Sequence, residues 1–158
     1  MMKEEGGKQK EEGGARGGSV EGANEWEVGG VMLKEEGGRQ REEDLRLRTK
    51  SFALRILKLF AALPKETSAQ ILGKQLLRSG TSIGANYREA YRARSKAEFI
   101  AKVCTCLGEA EETAYWLELL AEGELIKPAL LVDLIDENDQ LIAIFVTILN
   151  KAKQKVER

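Results

Sequence analysis

The feature that most constrains this chain is a rhythm of apolar residues spaced by four and three, sustained through four segments. Phe99, Val103, Cys106, Ala110, Thr113, Leu117 and Leu120 form the longest run. Leu72, Leu76, Ser79, Ile83, Asn86 and Ala90 form a second, and Leu131, Leu134, Asn138, Leu141, Phe145 and Ile148 a third. Phe52, Ile56, Leu59, Phe60 and Leu63 recur at helical spacing in a fourth. Such spacing places one apolar stripe on a helix, and four stripes close on one another as a bundle. No segment alternates with the period of two that a half-buried strand needs. The expectation is an all-α fold, an antiparallel up-down-up-down four-helix bundle.

The ends of the helices are written in the sequence too. Pro64 disfavours helix at Leu63 and ends the first, expected from about Asp44 to Leu63. Thr67 is a candidate N-cap for the second. Ser95 with Glu98 three residues on has the form of a capping box for the third. Gly123 is the expected stop of that helix, and Pro128 suits the first turn of the fourth. The connections are short, which favours antiparallel neighbours.

Residues 1–43 differ in kind. They hold 11 of the 16 glycines and carry 7 basic against 11 acidic side chains, with almost no apolar period. Such a segment cannot bury enough apolar surface to offset its ordering entropy, so a disordered Gly/Glu/Lys-rich tail is expected there. The stretch Lys3 to Glu12 recurs at Lys34 to Glu43 with only Lys-to-Arg changes. A duplicated low-complexity leader is the plain reading, with Met32 as a candidate start. The bundle domain is expected over 44–158, which carries 18 basic and 15 acidic side chains.

Composition argues against catalysis. The chain has no histidine, which removes the commonest general base and the commonest zinc ligand. Cys104 and Cys106 stand two apart on an expected helix, where their side chains diverge, so they read as ordinary thiols without further ligands. Glu109 and Glu112 on adjacent turns suggest a di-iron bundle, but that site needs Glu-x-x-His pairs. No phosphate loop follows the glycines of the second helix, since no Gly-Lys-Ser/Thr is present. No enzyme activity, metal or cofactor is expected. No apolar run reaches the length of a membrane span and no signal-peptide core is evident, so a cytoplasmic location is expected.

Three patterns are candidates for function. Gly80 and Gly84 stand four apart in the second helix, a spacing that lets another backbone approach closely. Gln75, Ser79, Asn86, Glu109, Glu112 and Thr113 lie on or near the inner seams. They are expected to form a hydrogen-bonded network that fixes helix register. Arg78, Arg88, Arg92, Arg94, Lys96 and Lys102 crowd the junction of helices two and three, with Tyr87 and Tyr91 one turn apart among them. Arginine interleaved with aromatics can hold phosphates and stack on bases, and the same pattern can be a solvated charged face. Lastly, Leu54, Leu57 and Ala61 lie about 100–160° around the first helix from Ile56. They form a second apolar stripe on its outer side, as an oligomer interface would.

The segments Gln75 to Asn86 (QLLRSGTSIGAN), Glu89-Ala90, Ser95 to Ile100 (SKAEFI) and Glu109 to Leu117 (EAEETAYWL) resemble the four helix bundle protein family. It is also called the 23S rRNA intervening-sequence protein family, because some members are encoded within inserts in 23S rRNA genes. The resemblance covers about residues 48–150. It implies a homopentameric ring of bundles and a remote similarity to the accessory proteins of diversity-generating retroelements, basic pentamers that bind nucleic acid and a reverse transcriptase. No enzymatic activity goes with the family. The functional expectation is a non-catalytic homo-oligomeric scaffold whose basic surface meets RNA or a nucleic-acid-processing protein. A purely protein-binding oligomer is the alternative.

Overall fold

The computed structural model describes residues 37–154, and side chains from 44 to 154. Most of the expected tail therefore lies outside the described residues, as does the last basic stretch, 155–158. Four α-helices account for the fold: α1 (Gly37–Ala62), α2 (Thr67–Tyr91), α3 (Lys96–Glu122) and α4 (Val132–Gln154). A single 3-10 turn, Pro128–Leu130, precedes α4. Among the described residues there is no strand.

Each helix is set by its own sequence. Ser95 caps α3 as expected, its hydroxyl accepting from the Glu98 N–H at 3.1 Å. The Glu98 carboxylate reaches back to the Arg94 N–H at 2.8 Å, one residue short of a strict box. Thr67 is not a cap. Helix α2 begins on it, Glu66 stands at the N-cap without a side-chain bond, and Gln70 Nε2 ties the loop by donating to Pro64 O at 2.7 Å. Pro128 opens the separate 3-10 turn instead of α4. That turn closes through Leu131 N–H to Pro128 O at 2.9 Å, and α4 then starts off the Leu131 carbonyl. Helix α1 begins at Gly37, seven residues before the expected Asp44, because Arg39 to Glu43 are all good helix formers.

The stop at the end of α3 falls where glycine predicts, but the unusual backbone does not. Gly123 keeps φ at −75°, while Glu124 takes φ 57°. The N–H groups of Leu125 and Ile126 both turn back to the Leu120 carbonyl, at 3.1 and 3.2 Å. A glutamate thus holds the left-handed position that glycine usually occupies.

The inner faces follow the four-three rhythm. All seven expected residues of α3 are buried, and so are all six from Leu131 to Ile148 along the α4 seam. Helices α2 and α3 run antiparallel, since Ser79 meets Thr113 while Ile83 meets Cys106 and Glu89 meets Lys102. Helices α1 and α2 also run antiparallel, with Gly73 against Leu63, Gly80 against Ile56 and Gly84 against Thr49. Helix α4 lies on α3 through Asn138 and reaches α1 through Arg48, whose guanidinium donates to Glu137 at 2.6 and 2.9 Å and to Gln140 at 2.7 Å. The Glu137 carboxylate strengthens that guanidinium's hold on its proton.

The glycines explain how α1 comes so close. A Cβ on Gly80 would stand 2.9 Å from Ile56 Cγ1, and one on Gly84 would stand 3.5 Å from the backbone carbon of Thr49. Ile56 therefore fills space that any other residue at position 80 would occupy. The small-residue spacing seats α1, and it does so against helix backbone.

Candidate nucleic-acid interface

The basic junction is built where α2 ends and α3 begins. Arg88 sits in the last turn of α2, Arg92 at its C-cap and Arg94 in the connection. All three are exposed, and among the described residues none has a carboxylate partner. Lys96 is half-buried in the first turn of α3. Lys102 stands two turns on and pairs with Glu89, which raises the proton affinity of its amine.

Two residues expected at this site are elsewhere. Arg78 lies ten residues before Arg88, about 15 Å along the helix. Its guanidinium bridges Glu109, at 3.3 Å, and Glu112. Its hydrogen bonds keep the Glu112 carboxyl below the usual glutamate range, with help from the Trp116 indole N–H at 3.0 Å. Its charge is answered within the bundle. Tyr87 is only 1% exposed, with its ring 6.0 Å from that of Phe145. It belongs to the core and cannot stack on a base, because α2 buries a second face toward α1 and α4 as well as its seam toward α3.

Tyr91 is the aromatic that remains at the surface, at 38% exposure. The guanidinium of Arg46 lies over its ring, 4.2 Å from the centroid. Arg46 comes from α1, so no reading of the junction segment could have found it. Its Nε is buried without a hydrogen-bond partner among the described residues. The rest of the surface is charged differently. Glu118, Glu122 and Glu124 on and just after the end of α3, with Asp133, Asp136 and Asp139 on the first half of α4, are all exposed.

The inner polar network is smaller than expected. The Thr113 hydroxyl stands 2.8 Å from Ser79 Oγ and 2.8 Å from its own Glu109 carbonyl, fully inside. Asn138, read in the sequence only as a step of the α4 rhythm, is also fully buried and donates from Nδ2 to Ala110 O at 2.9 Å. Thr49 is a further buried hydroxyl, bonded to Leu45 O at 2.9 Å. By contrast Gln75 is exposed, and Asn86 is half-buried and donates to Ser82 O of its own helix at 2.9 Å. Glu109 and Glu112 face outward to Arg78. None of these four carries register between helices through the core.

The thiols part company. Cys104 is exposed, while Cys106 is buried with Sγ 3.6 Å from Ile83 O. Burial pushes the Cys106 thiol up to about 12. Among the described residues no three acidic or thiol groups gather as a metal site would need, and no helix is long and apolar enough to cross a membrane. On α1, Leu54 is 49% and Leu57 47% exposed, Ala61 is exposed beside them, and Leu47 lengthens the stripe.

Comparison with known proteins agrees with this architecture. The family model described as 23S rRNA-intervening sequence protein matches residues 43–147. Among solved structures, a protein of unknown function from the S23 ribosomal protein family of Bacteroides thetaiotaomicron is 38% identical, with a TM-score of 0.65. The match covers 69% of this chain and 97% of that one. No curated protein matches. With well over half its length matched by the family model, and a solved relative aligned nearly end to end, the chain belongs to the 23S rRNA-intervening sequence protein family.

Proposed function

We propose that this protein is a non-catalytic homo-oligomeric scaffold of the cytoplasm, a pentamer by its family resemblance, that holds RNA or a ribonucleoprotein on the basic junction. One observation carries the reading: Arg88, Arg92 and Arg94 are exposed together, and among the described residues none has a carboxylate partner, whereas Lys102 in the same junction and Arg78 further along α2 are paired. Unanswered arginines on one edge release counterions when phosphate binds, which gives an affinity that falls steeply with salt. The test is binding of labelled ribosomal RNA at low and moderate salt. Changing Arg88, Arg92 and Arg94 to Glu is expected to abolish binding at moderate salt with the helical circular dichroism unchanged. Unaltered affinity in that variant takes these residues out of the site, and a wild type that binds no RNA at low salt ends the reading.

A second reading, a purely protein-binding or structural oligomer, draws on the outer stripe of α1. Leu47, Leu54 and Leu57 are three large apolar side chains aligned on one exposed face, an arrangement that more often marks an interface than scattered leucines do. Light scattering at tens of micromolar tests the assembly. Replacing Leu54 and Leu57 by Glu is expected to dissociate it, and an oligomer that survives the change places the contact elsewhere.

A further inference from the structure

We propose that Tyr91, backed by Arg46, is a stacking platform for one unpaired nucleotide, so that the RNA held at the junction is single-stranded there. The inference rests on the RNA-binding reading above and adds the form of RNA and the residue that selects it. Three observations carry it. Tyr91 as a residue stays 38% exposed although the Arg46 guanidinium lies over its ring, 4.2 Å from the centroid. The ring is therefore held from behind by α1 and still offers surface to a ligand. Arg46 has no hydrogen bond to a carboxylate among the described residues, so its charge is shared with the ring and with whatever approaches it. Arg88 lies one helical turn before Tyr91 and Arg92 directly after it, both exposed and unpaired among the described residues.

The chemistry that fits is a planar base flanked by phosphates. A phenol ring presents a π-face that any base can cover, and the nearby guanidinium groups take the phosphates on either side. In an RNA duplex the bases already stack on one another and their faces are closed, so such a ring has nothing to bind. The paired acidic residues do not oppose this. Glu89 is engaged by Lys102, and the Glu98 carboxylate accepts from the Arg94 N–H while the Glu98 N–H donates to the Ser95 hydroxyl. The tyrosine hydroxyl is not required, since stacking needs only the ring.

The experiment uses the full chain with a labelled single-stranded oligouridylate and a blunt RNA duplex of equal length. Tyr91→Ala is expected to weaken oligouridylate binding by about tenfold or more, following the usual worth of one stacked base. Tyr91→Phe is expected to stay within about twofold of wild type, and all three proteins to bind the duplex alike. Tyr91→Leu keeps an apolar side chain against Arg46 without a π-face; it is expected to show the same loss of about tenfold on oligouridylate and takes the place of the alanine variant if that one proves unstable. The salt slope is expected to be the same in all, because no phosphate contact is lost. Equal loss on single strand and duplex, or no loss in Tyr91→Ala, overturns the stacking platform and leaves the basic junction standing. A wild type that binds neither RNA at low salt removes both.

Discussion

The middle and the C-terminal end of α2 lie only three turns apart and obey different rules. In the middle, Ser79, Gly80, Ile83 and Gly84 are all buried, and α1 and α3 press on them from two sides. At the end, Arg88, Tyr91 and Arg92 are exposed, and the Arg46 guanidinium of α1 lies over the Tyr91 ring. An ambiguous motif can be divided on that contrast. Small and hydroxyl residues inside a helix are costly there and are kept because a neighbour needs the space. Arginines at a helix end cost the fold little, so their crowding calls for a reason outside the fold.

That division makes graded predictions. The largest effect belongs to Gly80→Val, which drives a branched side chain into Ile56. It is expected to destabilise the protein by about 2–3 kcal/mol, even after the gain in helix propensity, read as a lower denaturant midpoint. A midpoint within experimental error of wild type breaks the claim that the middle of α2 is set by α1. Thr113→Val keeps shape but removes the buried hydroxyl from Ser79, and is expected to cost about 1–2 kcal/mol in the same measurement. The smallest effect belongs to the end. The Arg88, Arg92 and Arg94 to Glu variant loses favourable charge near the α2 carbonyls, and is expected to change stability by less than about 1 kcal/mol. A loss as large as that of Gly80→Val would mean that the arginines hold the junction together.

Where one helix face met one neighbour, the sequence was enough. The seam of α3 and that of α4 are buried residue for residue, Asn138 included, because a single stripe has a single period. It failed where a helix has two buried faces. Tyr87 follows Ile83 by four, yet the four-three rhythm toward α3 runs through Asn86 and Ala90, and the α1-facing side of α2 has glycines instead of a stripe of large residues. Asn86 falls on that one stripe and Gln75 only near it, and at the edge of the seam Gln75 is exposed and Asn86 half-buried. Local chemistry misled at Pro128 and Thr67, where a residue that suits a helix start serves a neighbouring turn or the helix itself. Of the candidate site, the exposed arginines were legible as a charge run. Which were already paired was not, because Arg78 meets its carboxylates 31 and 34 residues further on. The partner of Tyr91 lies 45 residues earlier on another helix, beyond any local pattern.

The burial of Cys106 reaches beyond packing, into how the protein meets changes of acidity. A chain without histidine has lost the side chain whose ordinary pKa lies between pH 5 and 8. Its response to protons therefore moves outward to two margins. On the alkaline side, the Cys106 thiol is raised to about 12, so the folded state holds that proton more tightly than the unfolded chain. Its contribution is complete below the ordinary thiol range and is lost as pH climbs through about 12. On the acid side, the Glu112 carboxyl is depressed by Arg78, so its smaller share is present above the ordinary glutamate value and disappears as pH falls through the depressed one. Between those margins neither group changes its charge, and a shift across neutrality finds no proton-driven lever on the bundle at either of them.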